Sequence, residues 1–130
     1  MELKRVVITG VGALTPIGNN REEYWSNLAK GTNGAGPITR FDPEKFRTKF
    51  ACEIKNFDML DHLNRKEVKK MDPNTQFGMV VGEEDVKDCG INLESLDKDS
   101  VGVIWGSGIG GLKTFQEEAI AYGLGDGTPR

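Results

Sequence analysis

Val6-Val7-Ile8-Thr9-Gly10-Val11-Gly12-Ala13-Leu14-Thr15-Pro16-Ile17-Gly18 is the stretch that decides the fold class of this 130-residue chain. Val6 to Thr9 are four β-branched residues in a row, which read as a short buried strand. The glycine-rich run behind them is turn-forming, and Pro16 keeps it out of regular helix. A helix then begins at Asn20, a good N-cap, with Glu23 at the third helical position as in a capping box. Tyr24, Trp25, Leu28 and Ala29 form its apolar stripe, and Gly31 ends it. The same order returns further along. Val101-Gly102-Val103-Ile104-Trp105 reads as a second strand, Gly106-Ser107-Gly108-Ile109-Gly110-Gly111 as its loop, and Leu112 to about Tyr122 as the following helix. Strand, glycine loop and helix, met twice, point to a layered α/β fold.

Between these two passages the pattern is less regular. From Thr32 to about Asn64, prolines, glycines and scattered phenylalanines suggest loops with short extended pieces. A basic helical turn occupies Arg65–Met71. Asp72 and Pro73 read as the N-cap and first residue of a longer helix that runs through Cys89 and stops at Gly90. Gly78 and Gly82 within it, four apart, would admit a close neighbour. Each costs the helix roughly 1 kcal/mol against alanine, so the pair predicts a tightly packed interior helix. Asn92–Ser100 is a polar connection, and Gly123–Arg130 is a glycine-rich end with no element to close it. Two strands do not make a complete sheet core, so residues 1–130 are expected to be part of one domain, without a second.

Several function classes are excluded at this level. With 17 Lys and Arg against 20 Asp and Glu, the net charge is −3, the wrong sign for a nucleic-acid binder. No apolar run approaches the roughly 20 residues of a membrane helix, and Met1 to Arg5 lead straight into the strand without a signal-peptide core. Cys52 and Cys89 lie far apart without metal spacing, as expected for reduced thiols in a cytoplasmic protein; both read as packing residues. His62, the single histidine, reads as a surface or loop residue. No cofactor and no metal is expected.

Both glycine loops imitate a dinucleotide-binding turn. The first has Thr15 where a third glycine belongs, and its helix starts only past Pro16, so a phosphate would lack a helix N-terminus. Gly106–Gly111 does match G-x-G-x-x-G after a strand, but no later strand completes the βαβ unit or supplies the ribose-binding acid. Tight turns and close backbone packing are the better reading of these glycines.

The run Arg5 to Asn19 resembles the opening of the β-ketoacyl synthases of the thiolase superfamily. Further matches follow in family order: Gly31-Thr32-Asn33-Gly34 through Pro37-Ile38-Thr39-Arg40 to Phe41-Asp42, then Arg65-Lys66-Glu67 through Lys70-Met71-Asp72, then Val101 through the loop to Leu112. As a set they are specific, and they are most similar to the type II synthases that extend acyl chains in bacterial fatty-acid synthesis. The resemblance implies a partial thiolase-like fold, the incomplete first half of a five-layer α/β/α/β/α core, in an enzyme that works as a homodimer. It implies a decarboxylative Claisen condensation between an acyl thioester and malonyl-acyl carrier protein. That chemistry needs a nucleophilic cysteine on a strand-to-helix elbow and two histidines.

Neither cysteine stands in such an elbow, and His62 lies outside any family histidine motif. No catalytic residue is therefore assigned in this chain, which is expected to be inactive alone. Two other family features do fall within it. Lys66, Lys69 and Lys70 share one helix face and, with Arg65, match positions that dock acyl carrier protein; a transient acidic partner is steered by such charges. Ile109, between Gly108 and Gly110, matches the isoleucine that lines and gates the acyl pocket. A non-catalytic partner resembling a chain-length factor is the alternative from another class. As an isolated polypeptide the chain is expected to expose apolar strand edges and helix faces.

Overall fold

The computed structural model describes residues 3–125. The first helix, α1 (Arg21–Ala29), begins as the sequence dictates. Asn20 is extended, and its side chain accepts the Glu23 amide at 2.8 Å. Glu23 does not close a capping box, however. Its Oε2 accepts the amide of Asn19 (2.8 Å), one residue further out. At the other end Gly31 sits at φ 69°, its amide reaching Leu28 O (3.0 Å) while the Thr32 amide reaches Asn27 O (2.9 Å). This paired closure needs a left-handed residue, which glycine adopts without strain.

Two short strands, β1 (Gly36–Pro37) and β2 (Phe50–Ala51), pair antiparallel with Gly36 opposite Ala51. Next come the single basic turn α2 (Arg65–Val68), the long helix α3 (Pro73–Cys89) and α4 (Leu112–Leu124). Asp72 Oδ1 accepts the Asn74 amide (2.9 Å), and Gly90 at φ 63° follows the last turn of α3. Both boundaries of α3 thus lie where the sequence places them. None of these described helices is long and apolar enough to cross a membrane.

The two expected strands are the main correction. Val6–Thr9 and Val101–Trp105 carry no ladder among the described residues; Ile8 is 87% exposed and Ile104 98%. β-Branched residues favour extended backbone, but a strand also needs a neighbour to receive its amides and carbonyls, and propensity cannot supply one. The apolar stripe of α1 is likewise open, with Trp25 and Leu28 exposed. Exposure of apolar faces, by contrast, was expected from the sequence.

The described residues divide into two compact units. One takes the chain up to Asp58 together with Val80–Ile91; the other takes Met59–Met79 together with the residues from Asn92 on. In the first, Gly10 and Gly12 lie directly against α3. A β-carbon on Gly12 would overlap the carbonyl oxygen of Val81, and one on Gly10 that of Asp85. The loop amides are held there by acids: Ala13 N donates to Glu84 Oε2 (2.8 Å) and Val11 N to Asp88 Oδ2 (3.0 Å). Glu84 also accepts the Arg21 amide (2.9 Å), and Asp88 pairs with the Arg21 guanidinium. Thr15-Pro16-Ile17-Gly18 then closes as a tight turn, Thr15 and Gly18 exchanging both backbone bonds. Val80, on α3, is the one buried large hydrophobic among the described residues.

In the second unit, Gly78 performs the close approach expected of it. A β-carbon there would come within 2.9 Å of the Trp105 ring. Gly82, which belongs to the first unit, has nothing within 4 Å, so the expectation of a doubly tight helix holds at one glycine only. Cys89 is half-buried and donates its thiol to Val86 O (3.0 Å), but Cys52 is exposed and is not the packing residue the sequence suggested. His62 is exposed.

Candidate functional site

The basic turn is built more firmly than four helical residues would suggest. Asn64 accepts the amides of Lys66 (3.1 Å) and Glu67 (3.0 Å), while Glu67 Oε2 accepts the Asn64 amide (3.2 Å). This is a complete capping box, and the Asn64-x-x-Glu67 spacing that announces it is legible in the sequence. Lys69 caps the turn in αR conformation, and the Lys70 amide bonds Glu67 O (2.9 Å). Lys66, Lys69, Lys70 and Arg65 are all exposed. Among the described residues no carboxylate lies within ion-pairing distance of them, so their charge faces solvent.

The carbonyl end of that turn is secured from α3. Gln76, 8% exposed, donates from Nε2 to Val68 O (2.9 Å) and to Met71 O (2.8 Å). A buried amide is tolerated only with such partners. The Gln76 backbone N–H donates to Asp72 O (3.1 Å). Sequence reading missed Gln76, and a polar residue in the first turns of an interior helix is the signal that would have found it.

The glycine loop Gly106–Gly111 leads into α4. Ile109 is 73% exposed, and substitution-sized space is open at Gly106 and Gly108. Gly110 is tighter: a β-carbon would stand 3.0 Å from Asn74 Nδ2. Gly111 is the N-cap of α4 in left-handed conformation (φ 73°, ψ 12°) and has no side chain to cap with. Asp72 provides what Gly111 lacks. Its Oδ2 accepts the Thr114 amide (3.1 Å) and the Thr114 hydroxyl (2.7 Å). One carboxylate thus caps two helices, and the donors hold it below the usual aspartate range, the Asn74 amide first and the Thr114 hydroxyl next.

The dinucleotide-loop pattern acquires a physical explanation from this geometry. The Val11 and Ala13 amides of the first loop, which a phosphate would need, are already given to Asp88 and Glu84.

The family model for the β-ketoacyl synthase N-terminal domain matches residues 3–126. The chain belongs to the β-ketoacyl synthase family. It is 44% identical over 118 residues to "3-oxoacyl-[acyl-carrier-protein] synthase 2" of Synechocystis sp., covering 91% of this chain and 28% of that protein. It is 48% identical over 113 residues to the protein of the same name from Staphylococcus aureus (strain COL), covering 87% of this chain and 27% of the relative. The chain thus spans little more than a quarter of the length of these relatives. A solved structure described as "The ishigamide ketosynthase/chain length factor" superposes with a TM-score of 0.63 at 34% identity, over 69% of this chain and 22% of that one. The fold is therefore related to that of a ketosynthase.

Proposed function

We propose that this β-ketoacyl synthase segment carries the carrier-protein docking turn and the acyl-gate loop of a 3-oxoacyl-acyl-carrier-protein synthase of the elongating type, acting in the cytoplasm as a homodimer. In that reaction an acyl group passes from carrier protein to a cysteine thiolate. Malonyl-acyl carrier protein loses carbon dioxide, and the carbanion attacks the acyl thioester and expels the thiolate. The nucleophile and the histidines are not among the residues assigned here, so the chain alone makes no product. What carries the reading is the exposed, unpaired lysine face on a turn fixed at both ends, within a chain that matches the family throughout.

Docking is tested by affinity for malonyl- or octanoyl-loaded acyl carrier protein. Lys66→Glu with Lys69→Glu weakens it by about tenfold at low salt, as expected for steering by exposed charges, and the difference shrinks as salt rises. Equal affinity for the variant and the original would sink the docking role. For the gate, Ile109→Phe is read in a condensing enzyme that carries this segment in place of its own. The longest accepted acyl chains are lost first; an unaltered chain-length profile removes Ile109 from the pocket wall.

Likeness to the ketosynthase/chain length factor structure supports a second reading. In it the protein is a non-catalytic partner that binds carrier protein and condenses nothing. A polypeptide containing this segment that binds carrier protein, yet forms neither an acyl-cysteine nor a condensation product, decides for the partner.

A further inference from the structure

We infer that Asp72 and Gln76 are positioning residues that keep the docking turn and the gate loop in one register. The inference rests on the roles proposed above for Lys66, Lys69 and Ile109. Its basis is a relay of short contacts through the first two turns of α3, all within one compact unit. On one side, Gln76 grips the Val68 and Met71 carbonyls, which belong to the turn that displays the lysines. On the other, Asp72 grips Thr114 through both amide and hydroxyl, and so fixes where the glycine loop feeds into α4. The two stand one helical turn apart, the Gln76 backbone N–H donating to the Asp72 backbone carbonyl at 3.1 Å. Asn74, between them, stands against Gly110, the neighbour of Ile109.

Among the described residues, the Asp72 carboxylate supplies the side-chain cap of α4. Gly111 has no side chain to cap with, and the Phe115 amide returns only to Gly111 O (2.9 Å). The α4 start is consequently set by a residue 42 positions earlier in sequence, in the segment that immediately follows the lysines. A push on the docking turn is transmitted to α4 through bonded groups, whereas Gly106 and Gly108 leave the loop itself free to respond.

Hydrogen exchange on the 130-residue chain reads both ends of the relay. Asp72→Asn keeps an acceptor for Asn74 but turns one oxygen into a donor, so exchange at the Thr114 and Phe115 amides rises about fivefold or more while α1 is unaffected. Gln76→Met speeds exchange at Lys69 and Lys70 and also at Thr114, and the second effect vanishes in the Asp72→Asn background. Thr114→Val, which leaves α3 intact, reproduces the Asp72→Asn effect at Phe115 and serves if the other variants unfold. Octanoyl-loaded acyl carrier protein slows exchange at α2 and at Thr114 together, and at α2 alone in Asp72→Asn. Protection at α2 without any response at Thr114 overturns the relay and leaves docking standing. Absence of protection at α2 overturns docking instead, and the relay then stands or falls on whether Gln76→Met is felt at Thr114.

Discussion

The loops Gly10–Gly12 and Gly106–Gly111 look alike in sequence and are glycine-rich for opposite reasons. In the first, glycine makes room: α3 lies so close that β-carbons on Gly10 and Gly12 would overlap its carbonyls, and Glu84 and Asp88 hold the loop amides. In the second, space is open at Gly106 and Gly108, and only Gly111 needs a backbone conformation that other residues resist. The first loop is a packed wall and the second an open one. Glycine content therefore reports nothing about ligands until it is known what each missing side chain would touch.

The comparison breaks most visibly at Gly12. Gly12→Ala places a methyl group on the Val81 carbonyl, and backbone, unlike a side-chain tip, has no easy way to yield. We expect a loss of about 2–4 kcal/mol, measured as a lowered denaturation midpoint of the chain. A variant within half a kcal/mol of the original, on that same mutational scale, would mean that the loop is not pressed against α3.

A second difference lies in how each loop uses its carboxylates, and pH sharpens it. Asp72 is held below its ordinary value of 3.8 by the Asn74 amide and the Thr114 hydroxyl. Because the folded value is the lower one, its contribution to stability is complete above the unfolded value and is lost as pH falls through the folded value. The start of α4 should accordingly loosen only below about pH 4, seen as faster exchange at Thr114 normalised for the intrinsic rate, and Asp72→Asn should abolish the pH step. Loosening that began well above pH 5 would assign the effect to some other group.

How much of this was legible follows the range of each interaction. Asn20, Gly31, Asp72 with Pro73, and Gly90 mark helix ends through local bonds or local backbone conformation, and the structure places a helix boundary at each. Val6–Thr9 and Val101–Trp105 were read as strands from local preference, and they lack ladders because pairing depends on a partner that local preference does not name. Glu84 and Asp88, four apart on α3, have the spacing of a solvated acidic face, yet bond amides 71 and 77 residues away. At the candidate site the lysine face was visible as charge on one side of a turn. The double cap at Asp72 was not, since nothing in its neighbours points to Thr114.

The smallest expected effect is at Gly108, and it separates a hinge from a merely exposed loop. Its φ lies outside the left-handed region and a β-carbon there would meet nothing within 4 Å, so alanine fits the folded chain without strain. The change then acts on the unfolded state, which loses backbone freedom, and stability should hold or rise by about 0.5 kcal/mol. The same loss of freedom applies within the folded loop, where it would slow displacement of Ile109. In a condensing enzyme carrying this segment, Gly108→Ala should therefore leave the melting temperature in place and selectively lower turnover of the longest acyl chains. Destabilisation by more than about 1 kcal/mol would show that the loop is held by packing after all, and its likeness to Gly10–Gly12 would then be real.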